Sequence, residues 1–354
     1  MDEYIYLWAQ WGILRTPQYE AVINRYGNLK EAWHKITPEF LLKCGFGADK
    51  VTRAMQDREA LSFHYITQKL EETGARILYK EDKDYPFLLS KIADPPPFLF
   101  VRGKLPNFHK SLSIVGTRAI TDYGRQATEK FTEEFVHNGF VIVSGLALGV
   151  DACAHHAALK HQGLTVAVLG CGVDEIYPLE NVRLAESILE SGGAIVSEYP
   201  LGAPALRHHF PERNRIIAGL TRGTLVIEGG TKSGALITAR LALEYNRDVF
   251  AVPHEIIRAE LNGANHLIKN SKAKLVERAA DILEDFQMSA TPCQLRLDFN
   301  EAEKTLLNLL ATGGKTIDDL SPLTPYSVPA LTQRLIALEL KGVVKEQGAR
   351  WVLT

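Results

Sequence analysis

The sequence of 354 residues predicts an α/β protein built on an extended, mostly parallel, doubly wound sheet, with a helical bundle before it and a small helical unit after it. Three observations carry this expectation. Residues 111–286 alternate short, fully apolar runs with amphipathic stretches, the pattern of strands buried on both faces and helices covering them. Glycine-containing loops follow the apolar runs, as in Rossmann-like sheets that place ligands beyond the carboxyl ends of their strands. The flanking segments lack the alternation and read as helices.

Size and composition set the frame. A chain this long exceeds one ordinary domain. Apolar residues at 46% and charged residues at 23% fit a globular protein with ample core, and a net charge of −2 excludes a generally basic nucleic-acid coat. Cys44, Cys153, Cys171 and Cys293 form no CxxC pair, which suits a reducing compartment. The start, MDEYIYLWAQWGILR, has no basic segment ahead of an apolar core, and no apolar run is long enough for a bilayer, so a cytoplasmic protein without membrane contact is expected.

Residues 1–75 predict short helices at Ala9–Leu14, Thr16–Tyr26, Leu29–His34 and Pro38–Cys44, and a longer one from Ala48 to Gly74, punctuated by Gly12, Gly27, Gly45 and Gly47. This is the pattern of a sterile-alpha-motif or helix–hairpin–helix bundle, or of a plain packing module. Residues 76–110 contain Tyr85-Pro86 and Asp94-Pro-Pro-Pro97, so an extended connector is expected, flanked by strands at Ile77–Tyr79 and Phe98–Arg102. Within 111–286, strands are predicted at Leu112–Val115, Val141–Ser144, Thr165–Leu169, Ala194–Ser197, Thr224–Ile227, Val249–Val252 and Lys274–Val276, with helices at 122–138, 150–161, 181–191, 213–219, 234–245 and 279–285. After a linker around Met288–Leu297, residues 299–354 predict helices at Glu301–Ala311, Ile317–Leu320 and Val328–Lys341 and a hairpin, Val343–Lys345 with Arg350–Leu353, across Gln347-Gly348: a winged helix. Its six Lys/Arg against six Asp/Glu favour a regulatory or protein contact over a duplex grip.

The loops after the strands carry the functional signal. SIVGTRAITDYG, residues 113–124, resembles the opening of a dinucleotide fold, yet Arg118 stands where a second glycine is usual, with Thr121 or Asp122 as a helix cap. Further loops are Ser144-Gly-Leu-Ala-Leu-Gly149, Gly170-Cys-Gly172, Glu198-Tyr-Pro-Leu-Gly202 and Glu228-Gly-Gly-Thr-Lys-Ser-Gly-Ala235. Glycines at helix starts let backbone N–H groups approach an anion. Arg118, Arg207, Arg213, Arg215 and Lys232, with His208 and His209, fall on the same rim, although 111–286 holds 17 Lys/Arg against 21 Asp/Glu. A local basic groove on a neutral protein suits selective phosphate binding, and Phe210 among the cations offers a base-stacking surface. Bland readings stand beside these: Arg213 and Arg215 pairing with Glu212 or Glu228, Asn214 capping its helix, Phe210 packing, and Asp151 as a loop hydrogen-bond acceptor. Asp151 and His155 are i and i+4, but no third ligand has a telling spacing, so no metal is expected. No Walker motif is present, because Gly229-Gly-Thr-Lys-Ser-Gly has the wrong spacing.

Taken together, SIVGTRAITDYG, SGLALGVDACAHHAAL, VAVLGCGVDEIYP, GAIVSEYPLG, HHFPERNRIIAGL, LVIEGGTKSGALITARLALEYNRDVFAVP and NGANHLIKNSKAKLV resemble the DprA (DNA-processing protein A, or Smf) family across nearly all of 111–276. The resemblance implies a bacterial cytoplasmic protein of natural transformation that binds single-stranded DNA, shields it and loads the RecA recombinase. It also implies work alongside single-strand-binding protein, dimerisation through the Rossmann-like domain, no enzymatic activity and no cofactor. The implied DNA contacts fall on Gly116, Thr117, Arg118, Arg207 and Phe210; Ser144, Gly145, Asn214, Arg215 and Lys232 complete the expected set. The implied dimer contact lies near Asn265, Ile268 and Leu275, and Arg207 stands where the family often has lysine. Two other classes compete. Glu228-Gly-Gly-Thr-Lys-Ser-Gly-Ala loosely resembles the PGGxGTxxE loop of nucleoside-monophosphate phosphoribohydrolases, but lacks the proline and has Ile237 where an acid is needed. A regulatory protein centred on the winged helix is the other.

Overall fold

A computed structural model describes residues 3–288, 300–311, 313–340 and 343–353. Cys293 and most of the linker expected around Met288–Leu297 lie outside the described residues. The chain divides into two compact units, 1–291 and 292–354.

The first unit opens with helices α1 (Glu3–Trp11), α2 (Thr16–Tyr26), α3 (Leu29–Lys35), α4 (Pro38–Lys43), α5 (Ala48–Ala60) and α6 (Phe63–Thr73). Helix α1 starts six residues before its expected start and stops where Gly12 takes φ +64°, a conformation that suits glycine. The single helix expected over 48–74 is two. Leu61 leaves the helical region, and Ser62 caps α6 by accepting from the Tyr65 N–H at 3.4 Å. Trp8, Trp11 and Trp33 pack with ring centroids 5.0–5.6 Å apart, and the Trp8 indole donates to Leu29 O at 2.9 Å. Aromatic burial of this kind contributes roughly 2–3 kcal/mol per side chain.

Strands β1 (Ala75–Tyr79) and β2 (Phe98–Gly103) flank a short helix α7 (Phe87–Ser90). Then follow β3 (Ser111–Val115), α8 (Asp122–His137), β4 (Val141–Ser144), α9 (Val150–Lys160), β5 (Thr165–Val168), α10 (Val182–Glu190) and β6 (Ala194–Ser197). The unit ends with α11 (His209–Leu220), β7 (Gly223–Val226), α12 (Gly234–Glu244), β8 (Asp248–Ala251), α13 (Gly263–Lys269), β9 (Lys274–Leu275) and α14 (Ala280–Asp285). One nine-stranded sheet runs β1-β2-β6-β5-β4-β3-β7-β8-β9. The seven strands from β3 to β9 are parallel, whereas β1 and β2 are antiparallel additions at the β6 edge. Residues 76–110 thus do more than connect, because the apolar run Phe98–Val101 is buried and hydrogen-bonds to β6.

Both sheet faces are covered, as the unbroken apolar strands require. Helices α8, α9, α10 and α14, with the N-terminal bundle, pack on one face, where Ile114, Ile142, Leu169 and Ile195 point. Helices α7, α11, α12 and α13 cover the other, against Val115, Val143, Val168 and Val196. Helix α11 begins at His209, not 213, so Asn214 is inside it and caps nothing. Among the described residues no helix is long and apolar enough to cross a membrane.

In the second unit, α15 (Glu301–Leu310), α16 (Ile317–Leu320) and α17 (Val328–Leu340) precede an antiparallel hairpin, β10 (Val344–Gln347) with β11 (Arg350–Leu353). Leu306, Leu310, Leu331, Leu335, Leu338 and Trp351 form its own core.

Candidate nucleic-acid interface

From β3 the chain crosses to β4, β5 and β6 on one side; from β7 it crosses to β8 and β9 on the other. Where two neighbouring strands send their connections in opposite directions, the loops diverge and leave a crevice beyond the carboxyl ends. A cleft of about 690 Å³ opens there. Gly116, Thr117 and Arg118 line it after β3, Ser233 and Gly234 line it ahead of α12, and Arg207, Phe210 and Asn214 line it from α11 and the segment before.

The Gly116–Arg118 turn is held by backbone. Thr117 N donates to Glu228 O at 2.9 Å, and Val150 N donates to Thr117 O at 3.1 Å. A side chain at Gly116 would lie 2.4 Å from Val150, so only glycine lets the β3 loop close on α9. Thr121 is the cap of α8, accepting from Gly124 N at 3.0 Å. The fully buried Glu228 carboxyl in turn accepts from Thr121 N and Thr121 Oγ1, both at 2.7 Å, and approaches His254 Nε2 at 3.3 Å. Gly124 makes room for that carboxyl, which would lie 2.4 Å from a Cβ.

This scaffold presents Arg118 to solvent with its guanidinium carbon 5.5 Å from the Phe210 ring centroid. Phe210 also meets Tyr177 at 5.5 Å between centroids, tilted by 41°, and Tyr177 is 46% exposed. A cation and two aromatic faces therefore share one wall. The lining also includes Ser233 and Gly234 at the amino end of the 11-residue helix α12, where backbone N–H groups and the helix dipole favour an anion. Beside it, Ser233 Oγ is buried and, among the described residues, has no hydrogen-bond partner. Arg207 is exposed and lines the cleft, whereas Lys232, exposed next to Ser233 in sequence, is not among its lining residues.

Several expected contacts have other work. Arg215 is buried, ion-paired through Nη2 with Glu198 and through Nε with Asp94 at 3.3 Å, so its charge is spent internally. Glu198 also pairs with Arg15, which ties the N-terminal bundle to this loop. Arg213 is buried, donating to Gly145 O at 2.8 Å and to Val168 O, beside Asp151. Burial pushes the Asp151 carboxyl up against the pull of Arg213, and pushes the Arg213 guanidinium down against Asp151. Gly145 gives up its side chain for this pair, since a Cβ would lie 2.6 Å from Arg213 Nη2. Its N–H donates to Asp151 at 3.1 Å, the loop-acceptor role expected for that aspartate. Ser144 is fully buried and donates to Ile114 O at 2.7 Å. Asn214 lines the cleft with its amide engaged, donating to Gly234 O at 3.3 Å and accepting from Arg213 Nε at 3.2 Å.

His209 is buried against Tyr199, ring centroids 3.9 Å apart, and burial holds its pKa down; His208 is exposed. Asp151 and His155 are engaged separately, Asp151 by Gly145 N at 3.1 Å and His155 Nδ1 by Thr165 Oγ1 at 2.6 Å. Of the expected dimer residues, Asn265 is committed within the chain: its Oδ1 accepts from His254 N at 3.0 Å and its Nδ2 donates to His254 O at 2.8 Å. Ile268 is half-buried on α13, and Leu275 is 44% exposed on the edge strand β9.

Sequence reading missed Tyr177 and Ser233 as lining residues and Glu228 as the support of the turn. Tyr177 was legible only as a loop residue 33 positions from Phe210. Ser233 carried a signal, since it precedes a helix start.

The comparisons with known proteins bear on the family and the fold. The family described as DNA recombination-mediator protein A matches residues 76–287. A "Protein Smf" from Synechocystis sp. is 44% identical over 248 residues, 68% of this chain; the match spans 62% of that protein, less than two thirds of its length. The X-ray structure of DNA processing protein A from Streptococcus pneumoniae superimposes with a TM-score of 0.67 at 35% identity, over 80% of this chain and 98% of that one. DNA processing protein A from Helicobacter pylori, whose structure was described for a unique single-stranded DNA binding mode, gives 0.53 at 30% identity, over 60% and 95%. The match takes in every strand from β2 to β9 and every loop that lines the cleft, and it places this chain in the DNA recombination-mediator protein A family.

Proposed function

We propose that this chain binds single-stranded DNA along the switch-point cleft and acts, without catalytic turnover, as a cytoplasmic mediator. In this reading it shields incoming strands in natural transformation and delivers them to the RecA recombinase, alongside single-strand-binding protein. The observation that carries the DNA part is the cleft lined together by Arg118 lying over Phe210, by Tyr177 beside that ring, and by the α12 amino end. Cations grip phosphates and aromatic rings stack bases without reading sequence, which is the chemistry of single-strand binding. The Helicobacter pylori relative's reported binding mode supports the same ligand. The absence of turnover is supported by Asp151, the carboxyl lining the cleft, which is committed to Gly145 and Arg213. A homodimer through α13 and the β9 edge, with Ile268 and Leu275, would set two clefts on one strand and raise avidity.

The test is a binding series at fixed salt with mononucleotides, single strands of increasing length, and duplex. Affinity should climb with strand length, with mononucleotides and duplex far weaker. Tight mononucleotide binding, or release of base from a nucleoside monophosphate, would replace this reading with a nucleotide enzyme.

A further inference from the structure

Away from the cleft, the structure brings three metal-ligand side chains together beside the amino ends of the parallel strands β4 and β5. Glu133 and His137 stand one turn apart on α8, i and i+4, and so share one face. His161 is the cap residue after α9. One donor atom from each residue lies within 4.8 Å of the other two. Glu133 Oε1 and His161 Nδ1 are 3.7 Å apart, and the two imidazole rings meet at 5.7 Å between centroids, at 62°.

We propose that Glu133, His137 and His161 form a binding site for a divalent transition-metal ion, with Zn²⁺ the reference species. Nitrogen and oxygen donors about 2.1 Å from a tetrahedral zinc lie about 3.4 Å from one another. The three donors are within roughly 1.4 Å of that spacing, a distance side-chain rotation covers. His137 is exposed and Glu133 and His161 are partly so, which leaves room for movement and a fourth, water-filled position. The neighbouring Glu134 is turned away, accepting from Ala279 N at 3.0 Å. Two imidazoles with one carboxyl select borderline ions such as Zn²⁺, Ni²⁺ and Cu²⁺ over the oxygen-seeking Ca²⁺ and Mg²⁺.

Helix electrostatics favours the same site. Helix α8 ends at His137 and α9 at Lys160, so two negative dipole ends converge on the three donors. Both helices begin on the cleft side, α8 after the Gly116–Arg118 turn and α9 after the Gly145–Gly149 loop. An ion held by residues of both would clamp the far ends of the pair that supports the cleft.

The experiment uses the full chain, stripped by a chelator and titrated with Zn²⁺ in competition with a chromophoric chelator; thermal midpoints are read with and without zinc. One ion per chain should bind and raise the midpoint. His137→Ala and His161→Ala should each weaken binding about tenfold or more and abolish the zinc-dependent rise. Their midpoints without zinc should stay near wild type; His137→Asn and His161→Asn serve as second variants if either alanine change lowers them. Replacement of Zn²⁺ by Co²⁺ should give visible bands without strong thiolate absorption. The proposal is overturned by no stoichiometric binding, by binding that survives the double histidine change, or by thiolate bands pointing to the cysteines.

Discussion

The carboxyl of Glu228 accepts two hydrogen bonds from Thr121, at 2.7 Å from its N–H and 2.7 Å from its hydroxyl, while Glu228 O accepts from Thr117 N. One residue at the end of β7 therefore fixes both ends of the turn that presents Arg118. Glu228→Ala leaves the Thr121 N–H without its partner in a partly buried site, a cost of about 1–3 kcal/mol. It should lower the thermal midpoint by several degrees and weaken single-strand binding together. Glu228→Gln keeps one acceptor and should do less. A midpoint that falls with unchanged affinity would detach the turn from binding.

Phe210 tests the stacking half of the site. Removing one base-stacking ring costs about 1–3 kcal/mol, so Phe210→Ala should weaken single-strand affinity about tenfold or more. The charge count is untouched, so the dependence of affinity on salt should keep its slope. Fluorescence anisotropy at several salt concentrations separates the two quantities.

Salt dependence counts the free cations. Arg118, Arg207 and Lys232 are exposed near the cleft, whereas Arg213 and Arg215 are buried and paired. Three phosphate contacts per cleft on a single strand predict a log–log slope of about −2. A slope of twice that per cleft would show that further cations reach the strand.

Acid stability should report on His155. Thr165 Oγ1 donates to Ile142 O at 2.8 Å, so it accepts from His155 Nδ1–H, and the buried Nε2 is left as the unprotonated nitrogen. Burial pushes the His155 pKa down to about 3. The unfolded chain therefore takes the proton first as pH falls, and this contribution to stability is complete above the ordinary histidine pKa. It is lost progressively from about pH 6.5 toward pH 3, amounting to about 2 kcal/mol at pH 5. Denaturant midpoints at pH 7 and pH 5 should show the drop, and His155→Leu should flatten it.

The sheet was legible because its strands are short unbroken apolar runs, and each strand from β3 to β9 lies within a residue of its expected bounds. The loops were legible for the same reason: a glycine after a buried run has few other uses. The split of the 48–74 helix was missed because Leu61-Ser62 carries no glycine or proline, only a serine whose capping shows in three dimensions. The start of α11 was missed because the four residues ahead of 213 include Pro211, which lacks a backbone N–H, is disfavoured inside a helix and is tolerated here in the first turn. The cations were overcounted. Arg215 and Arg213 neutralise Asp94, Glu198 and Asp151, from 17 to 121 residues away in sequence, and a linear reading sees the arginines but not the distant carboxyls that fold onto them.

Arg118 carries the central claim, since it is the exposed cation that the Glu228-braced turn sets over Phe210. The direct measurement is a titration of a labelled single strand at moderate, fixed salt with wild type and Arg118→Ala. The account predicts an affinity loss of about tenfold, a log–log salt slope shallower by about 0.7, and an unchanged thermal midpoint. Equal affinity of the two proteins, with both folded, would contradict it.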